Sequence, residues 1–436
     1  MTFRRGAFST VLALVCSGSL VSLAPAQVSD ALRDRVGQLV VKLGSDKKEV
    51  RDEAEKALVE LGPKVLPLLP ESSAKLDDET KLRVAKVRET LGTAKEAETN
   101  LGATKITIQG KGIRLSEAIQ KLQSLSGNTI SDLREANGGE AANPSLDLDI
   151  KDLPFFEALD QIAAKGALSI NFFNGDGSIA LMAGAPGGTM PGTKPMVLYS
   201  GPFRIQFKEL TVSKDFSTAA GTANAVLEVA WEPRLRPMLL AIKSEGLTIV
   251  DDRGKSVASM ISEQTDDTAL RPENPASEVN LNLQAPERAA KEFASLKVKG
   301  EVTVPASQKL FKFKSLNAKS ETMKQGDISV TLESTSVEEQ VWKVSVVIAY
   351  PPGGPAFESY RQGLFNNRLW LQKPDGTKFE HNGGFNNTGS DGGKLSFEYL
   401  FVDVPGKPAD YGLVYETPSK VIAIPLEFEF KKVPLP

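Results

Sequence analysis

One histidine serves a chain of 436 residues, and its position limits the chemistry available. His381 lies in the loop KFEHNGGFNNTG, among glycines, where an imidazole is expected to meet solvent. A serine–histidine–acid triad, a cysteine–histidine pair and a histidine-rich zinc site all lack their parts. Ser72-Ser73-Ala74-Lys75 matches the pattern in which a lysine activates a serine, but it falls in a polar connector between helices. A four-residue match without a cleft reads as chance. Gly110-Lys111-Gly112 lacks the third glycine of a dinucleotide loop, and Gly254-Lys255-Ser256 has Ile249 where a phosphate loop begins with glycine. Both read as turns.

Acids could pair for glycoside hydrolysis, which depends on their separation in space. Asp77-Asp78 reads as a helix cap, Asp147 and Asp149 as the outer side of a strand, and Asp251-Asp252 as a hairpin. None has the spaced series with a central glycine that a calcium loop uses. The sequence therefore assigns no catalytic, metal-ligating or cofactor-binding residue.

The phrase WEPRLRP, Trp231 to Pro237, is the most unusual local pattern. Arg234 and Arg236 could form a rim that grips an anionic or aromatic partner group. Alternatively, Trp231 anchors a core while an Arg–Glu pair pins the bend between the two prolines. Trp342 shares its strand face with four apolar residues and is expected to be buried. Trp370 is opposite in phase to Leu369 and Leu371, so it is expected to be exposed, where it could stack on a sugar or peptide. Arg234, Arg236 and Trp370 are thus the candidate partner-binding residues.

Composition sets the class. Apolar residues make up 41% and charged residues 25%, as in a folded soluble protein. The net charge is −3, with no basic face, which argues against a nucleic-acid partner. MTFRR followed by an apolar run and Ala24-Pro25-Ala26 reads as a signal peptide over residues 1–26, cleaved after Ala26. Membrane contact would then come only through that segment, and the protein would be periplasmic or secreted. Cleavage removes two arginines and the single cysteine, leaving no disulfide and no thiol nucleophile.

Residues 27–97 read as helical: Leu32, Val36, Leu39, Val40 and Leu43 form one stripe, and Val50, Ala54, Ala57, Leu58 and Leu61 another. A third helix is expected to end at Gly92, followed by a linker. LGSDKKEVRDEAEKALVELGPKVLPLLPE, with LDDETKLRVAKVRETL, resembles the HEAT and armadillo class of helical repeats. About one and a half units are present, fewer than a free-standing solenoid needs.

Residues 104–184 then spell strand, helix, strand, followed by strand, helix, strand, strand, with both helices able to cover one face of a small sheet. RLSEAIQKLQSLSGNTI, KDLPFFEALDQIAAKGALSI and SIALMAG resemble the short N-terminal (STN) domain shared by secretins and TonB-dependent receptors. That resemblance implies a periplasmic interaction module without catalytic residues of its own. No secretin pore region and no barrel-like series of strands follows in this sequence.

Residues 185–200 form a Gly/Pro linker, expected to be a flexible hinge. Beyond it, short alternating strands suggest one or two immunoglobulin-like β-sandwiches, 201–316 and 317–436. PERAAKEFASL is the one helical stretch expected among them. The expected architecture is multidomain α+β. The expected function is that of an exported, non-enzymatic scaffold of a bacterial envelope with a protein partner. A carbohydrate-binding or carbohydrate-cleaving wall protein, with a groove of Trp370, His381 and carboxylates, is the other class the sequence admits.

Overall fold

The computed structural model describes residues 30–70, 76–135, 142–184, 195–217, 221–260, 266–317, 320–350, 367–391 and 393–436. The signal segment with Ala26, the Ser72–Lys75 pattern and most of the Gly/Pro linker lie outside the described residues. Two compact units divide the chain, residues 1–94 and 95–436. No described helix is long and apolar enough to cross a membrane.

In the first unit, α1 (Asp30–Leu43) and α2 (Lys48–Glu60) are followed by a 3-10 turn over Pro63–Leu68 and by the greater part of α3 (Asp78–Leu101). Their apolar stripes meet as expected: Val36, Val40, Leu43, Ala54, Leu58, Val84, Val87 and Leu91 are buried together. Asp77 accepts the backbone N–H of Thr80 at 2.9 Å and so caps α3. The Thr80 hydroxyl, then its N–H, holds that carboxyl below the usual range. α3 does not stop at Gly92 but continues to Leu101. One glycine costs about 1 kcal/mol in a helix, and the Ala, Lys and Glu that follow are strong helix formers.

The α/β region of the second unit contains β1 (Lys105–Arg114), α4 (Leu115–Ser126), β2 (Ile130–Asp132), β3 (Ser145–Pro154), α5 (Phe155–Gly166), β4 (Leu168–Asn171) and β5 (Ile179–Ala183). The element order matches the pattern in the sequence. The pairing does not: instead of one sheet there are two, an antiparallel β1–β3 ribbon and a three-stranded sheet in the order β2-β5-β4. Alternation tells which face of a strand is buried, but not which strand lies beside it. Leu115, Ile119, Leu122, Phe155, Leu159 and Ile162 join the strands in a single core.

The remaining strands are β6 (Met196–Ser200), β7 (Phe203–Lys214), β8 (Gly221–Trp231), β9 (Leu239–Asp251), β10 (Asp266–Ala269), β11 (Ala276–Gln284), β12 (Glu292–Phe313), β13 (Glu321–Gln325), β14 (Ile328–Glu338), β15 (Val341–Ala349), β16 (Arg368–Gln372), β17 (Lys378–Glu380), β18 (Phe385–Asp391), β19 (Lys394–Val402) and β20 (Gly412–Pro434). The end of the expected linker is therefore strand β6. A four-stranded sheet runs β11-β8-β7-β6, a six-stranded sheet β10-β9-β12-β20-β16-β17, and a five-stranded sheet β13-β14-β15-β19-β18.

The long pair β12–β20 runs antiparallel from Glu292↔Pro434 to Phe313↔Leu413, with register shifts around Ser307. One end of this ribbon supplies Leu296, Val298, Leu426 and Phe430 to a core shared with the four-stranded sheet. The other end supplies Phe311, Phe313, Leu413 and Tyr415 to a core shared with the five-stranded sheet. A division at residue 317 therefore does not separate the two cores, because β20 returns to the first. The expected helix in PERAAKEFASL is also absent. Phe293 and Leu296 begin β12 instead, where pairing with β9 and β20 overrides local propensity.

Candidate functional site

The WEPRLRP phrase sits where β8 ends. Trp231 is buried in the first β core and pairs with Phe203. Glu232 is fully buried, and four donors face its carboxylate. They are the Thr104 N–H at 2.8 Å, the Thr104 hydroxyl at 2.5 Å, Asn128 Nδ2 at 3.1 Å and Arg234 Nε at 2.7 Å. Arg234 Nε also reaches Thr104 Oγ1 at 2.8 Å, and its Nη2 donates to the Gly102 carbonyl. Asn128 Oδ1 accepts the Arg234 N–H at 3.1 Å. Arg234 is thus committed to a buried seam between the α/β region and β8.

Two further seams join the same parts. Asp160 on α5 accepts the Tyr199 hydroxyl at 2.6 Å and Arg204 Nε at 2.9 Å. Burial first, then the Asp160 charge, pushes the Tyr199 phenol upward. Gly177, in the β4–β5 turn, donates its N–H to the Glu273 carbonyl at 2.7 Å. Ala230 and Ala276 add apolar contact to the α/β core. The expected hinge at 185–200 does not leave these two parts free to move independently, because three polar seams and shared apolar burial hold them.

Arg236 has a different setting. Its φ of 49° is left-handed, a conformation uncommon for a side-chain-bearing residue. Arg236 Nη1 lies 3.3 Å from Glu416 Oε1, and Arg368 Nη1 lies 3.7 Å from Glu416 Oε2. Arg368 also pairs with Glu380 at 3.7 Å. Arg236, Arg368 and Glu416 line a small cleft of about 30 Å³ with Pro237, Pro305 and Gln308. Burial, then repulsion from Arg368, lowers the Arg236 pKa against the opposing pull of Glu416.

Trp370 lies on the neighbouring strand surface, and the expectation that it is exposed fails: 5% of it is accessible. Its phase is as read, opposite the buried Leu369 and Leu371. The outer face is simply covered. Arg368 lies 5.4 Å from the ring centroid and Lys378 Nζ 4.5 Å, so the indole is a platform for the protein's own cations. Trp370 Nε1 is buried and has no hydrogen-bond partner among the described residues.

His381 is not solvated as a glycine-flanked loop suggested. It is half-buried and packs edge-on against Tyr399 at 5.4 Å, Phe401 at 6.3 Å and Phe385 at 6.4 Å. Burial lowers its pKa, although Glu380 and Glu273 pull the other way. Tyr399 and Phe401 belong to the second β core, and Trp370 lies on the opposite side of β16 from its core residues Leu369 and Leu371. Trp342 is buried, as its strand phase predicts.

Arg236 and Trp370, singled out separately in the sequence, are therefore linked through Arg368. Arg368 and Glu416 were missed by sequence reasoning. Arg236 and Glu416 are 180 positions apart, and no spacing pattern reports such a pair. The cleft offers paired guanidinium groups at a small opening, an arrangement suited to holding an anion rather than breaking a bond. Among the described residues, no cluster of three or more His, Cys, Asp or Glu could hold a metal ion. No family model matches this chain, and no curated protein matches it either.

Proposed function

We propose that this chain is an exported, non-enzymatic binding or scaffold protein of a bacterial cell envelope, acting through protein–protein contacts. The leader-like pattern ending at Ala26 supports export. The strand-helix order over 104–184 supports an STN-like interaction module, and the N-terminal stripes support a HEAT-like appendage. In this reading the two β cores are immunoglobulin-like sandwiches that share the β12–β20 ribbon.

The observation that carries the proposal is the Arg236–Arg368 cleft. It is a surface recess with cationic groups, next to an α/β region already fixed in place by Glu232. Crosslinking in intact cells, followed by mass spectrometry of the envelope fraction, should recover a discrete protein partner. Removing 104–184 is a poor control, because it strips the buried Glu232 of Thr104 and Asn128. Surface substitutions at the cleft serve better. Hydrolytic turnover by the purified chain would overturn the proposal.

A further inference from the structure

We propose that the cleft between Arg236 and Arg368 is a carboxylate-binding site that accepts an aspartate or glutamate side chain of a polypeptide partner. This rests on the protein-binding reading above and gives that partner a chemistry.

Charge is the first reason. Among the described residues that line the cleft, Arg236 and Arg368 are the cations and Glu416 is the acid, so its wall carries one excess positive charge, with Glu380 3.7 Å from Arg368 outside the lining. The two contacts to Glu416, 3.3 and 3.7 Å, are also longer than the ~2.7–2.9 Å of a well-formed charge-assisted hydrogen bond. Glu416 thus bridges both guanidinium groups without saturating either.

Size is the second. The recess is small, with about 30 Å³ between its walls, room for roughly two waters, which suits the two oxygens of a carboxylate. Pro237, Pro272, Pro305 and Pro418 give the opening a rigid apolar rim, against which the methylenes of an acidic side chain can pack. The left-handed backbone at Arg236 directs a cation to this place at a conformational cost, and a turn alone would not require an arginine there.

The chain lacking residues 1–26 is titrated, by fluorescence anisotropy, with a capped peptide of alternating alanine and glutamate and with its glutamine counterpart. The acidic peptide should bind and the glutamine peptide should not. Arg236→Gln and Arg368→Gln should each weaken binding about tenfold. Glu416→Gln removes the internal competitor and should tighten binding several-fold, a gain that misfolding cannot imitate. Equal binding of the two peptides, unchanged affinity in both arginine variants, or no binding even by Glu416→Gln would overturn the site. Displacement of the peptide by inorganic phosphate at lower concentration than by acetate would also overturn it, as a phosphate site. If a crosslinked envelope partner is still captured by both arginine variants, the scaffold reading stands and this site alone fails.

Discussion

Glu232 is a fully buried carboxylate answered by Thr104, Asn128 and Arg234. Replacing Glu232 with Gln keeps the shape but removes the carboxylate charge that faces Arg234 Nε at 2.7 Å. Breaking one side of such a pair costs about 3 kcal/mol, and urea unfolding should show the midpoint falling accordingly. A shift below about 1 kcal/mol would mean that the seam is held by its apolar contacts instead.

His381 supplies a pH dependence. Burial among Phe385, Tyr399 and Phe401 favours its neutral form, and the Glu273 and Glu380 charges only partly offset this. Its folded pKa lies below the ordinary 6.5. The unfolded chain therefore takes up the proton first, so the stability His381 contributes is complete above pH 6.5 and declines as pH falls below it. His381→Phe should flatten the stability profile on the acid side of that value, measured by thermal melts across pH. The Arg–Glu pair in WEPRLRP was legible because its members are neighbours in sequence. The burial of His381 was not, since the rings that cover it come from β18 and β19.

Gly177 shows how one turn fixes the placement of a whole element. Its φ is +77°, and a Cβ at this position would lie 2.7 Å from the Pro272 carbonyl oxygen. Gly177→Ala should therefore weaken the attachment of the β4–β5 turn to the 271–275 loop. We expect a loss of about 2 kcal/mol, from left-handed strain and the backbone clash together. Hydrogen exchange should quicken at Ile179 and Leu181 while the second β core stays protected. The helices and most strands were legible from periodicity, because each buries one regular stripe. The two-sheet pairing in 105–183, the continuation of α3 past Gly92 and the strand start at Glu292 were not, since partners distant in sequence decide them.

At the scale of the whole molecule, the β12–β20 ribbon makes two cores interdependent. Ending the chain after Ser419 would delete Ile422, Ile424, Leu426, Phe428, Phe430 and Val433 from the first core. At about 1.5–3 kcal/mol per buried side chain, that loss is about 9–18 kcal/mol, as large as the whole 5–15 kcal/mol by which a typical domain is stable. The truncated chain should lose protease resistance first over 203–304, while Trp342 and its neighbours persist longer. Limited proteolysis with peptide mapping reads this directly.

The return of β20 also has a kinetic side. Strand β12 must wait for β20, roughly a hundred residues or more further along the chain, so the core that β20 completes with β7 and β8 carries a loop-closure cost and forms late. Until then Phe293, Leu296 and Val298 present an unmatched apolar edge, the kind of surface on which nascent chains aggregate. A holdase that shields this edge during synthesis would raise the yield of native protein.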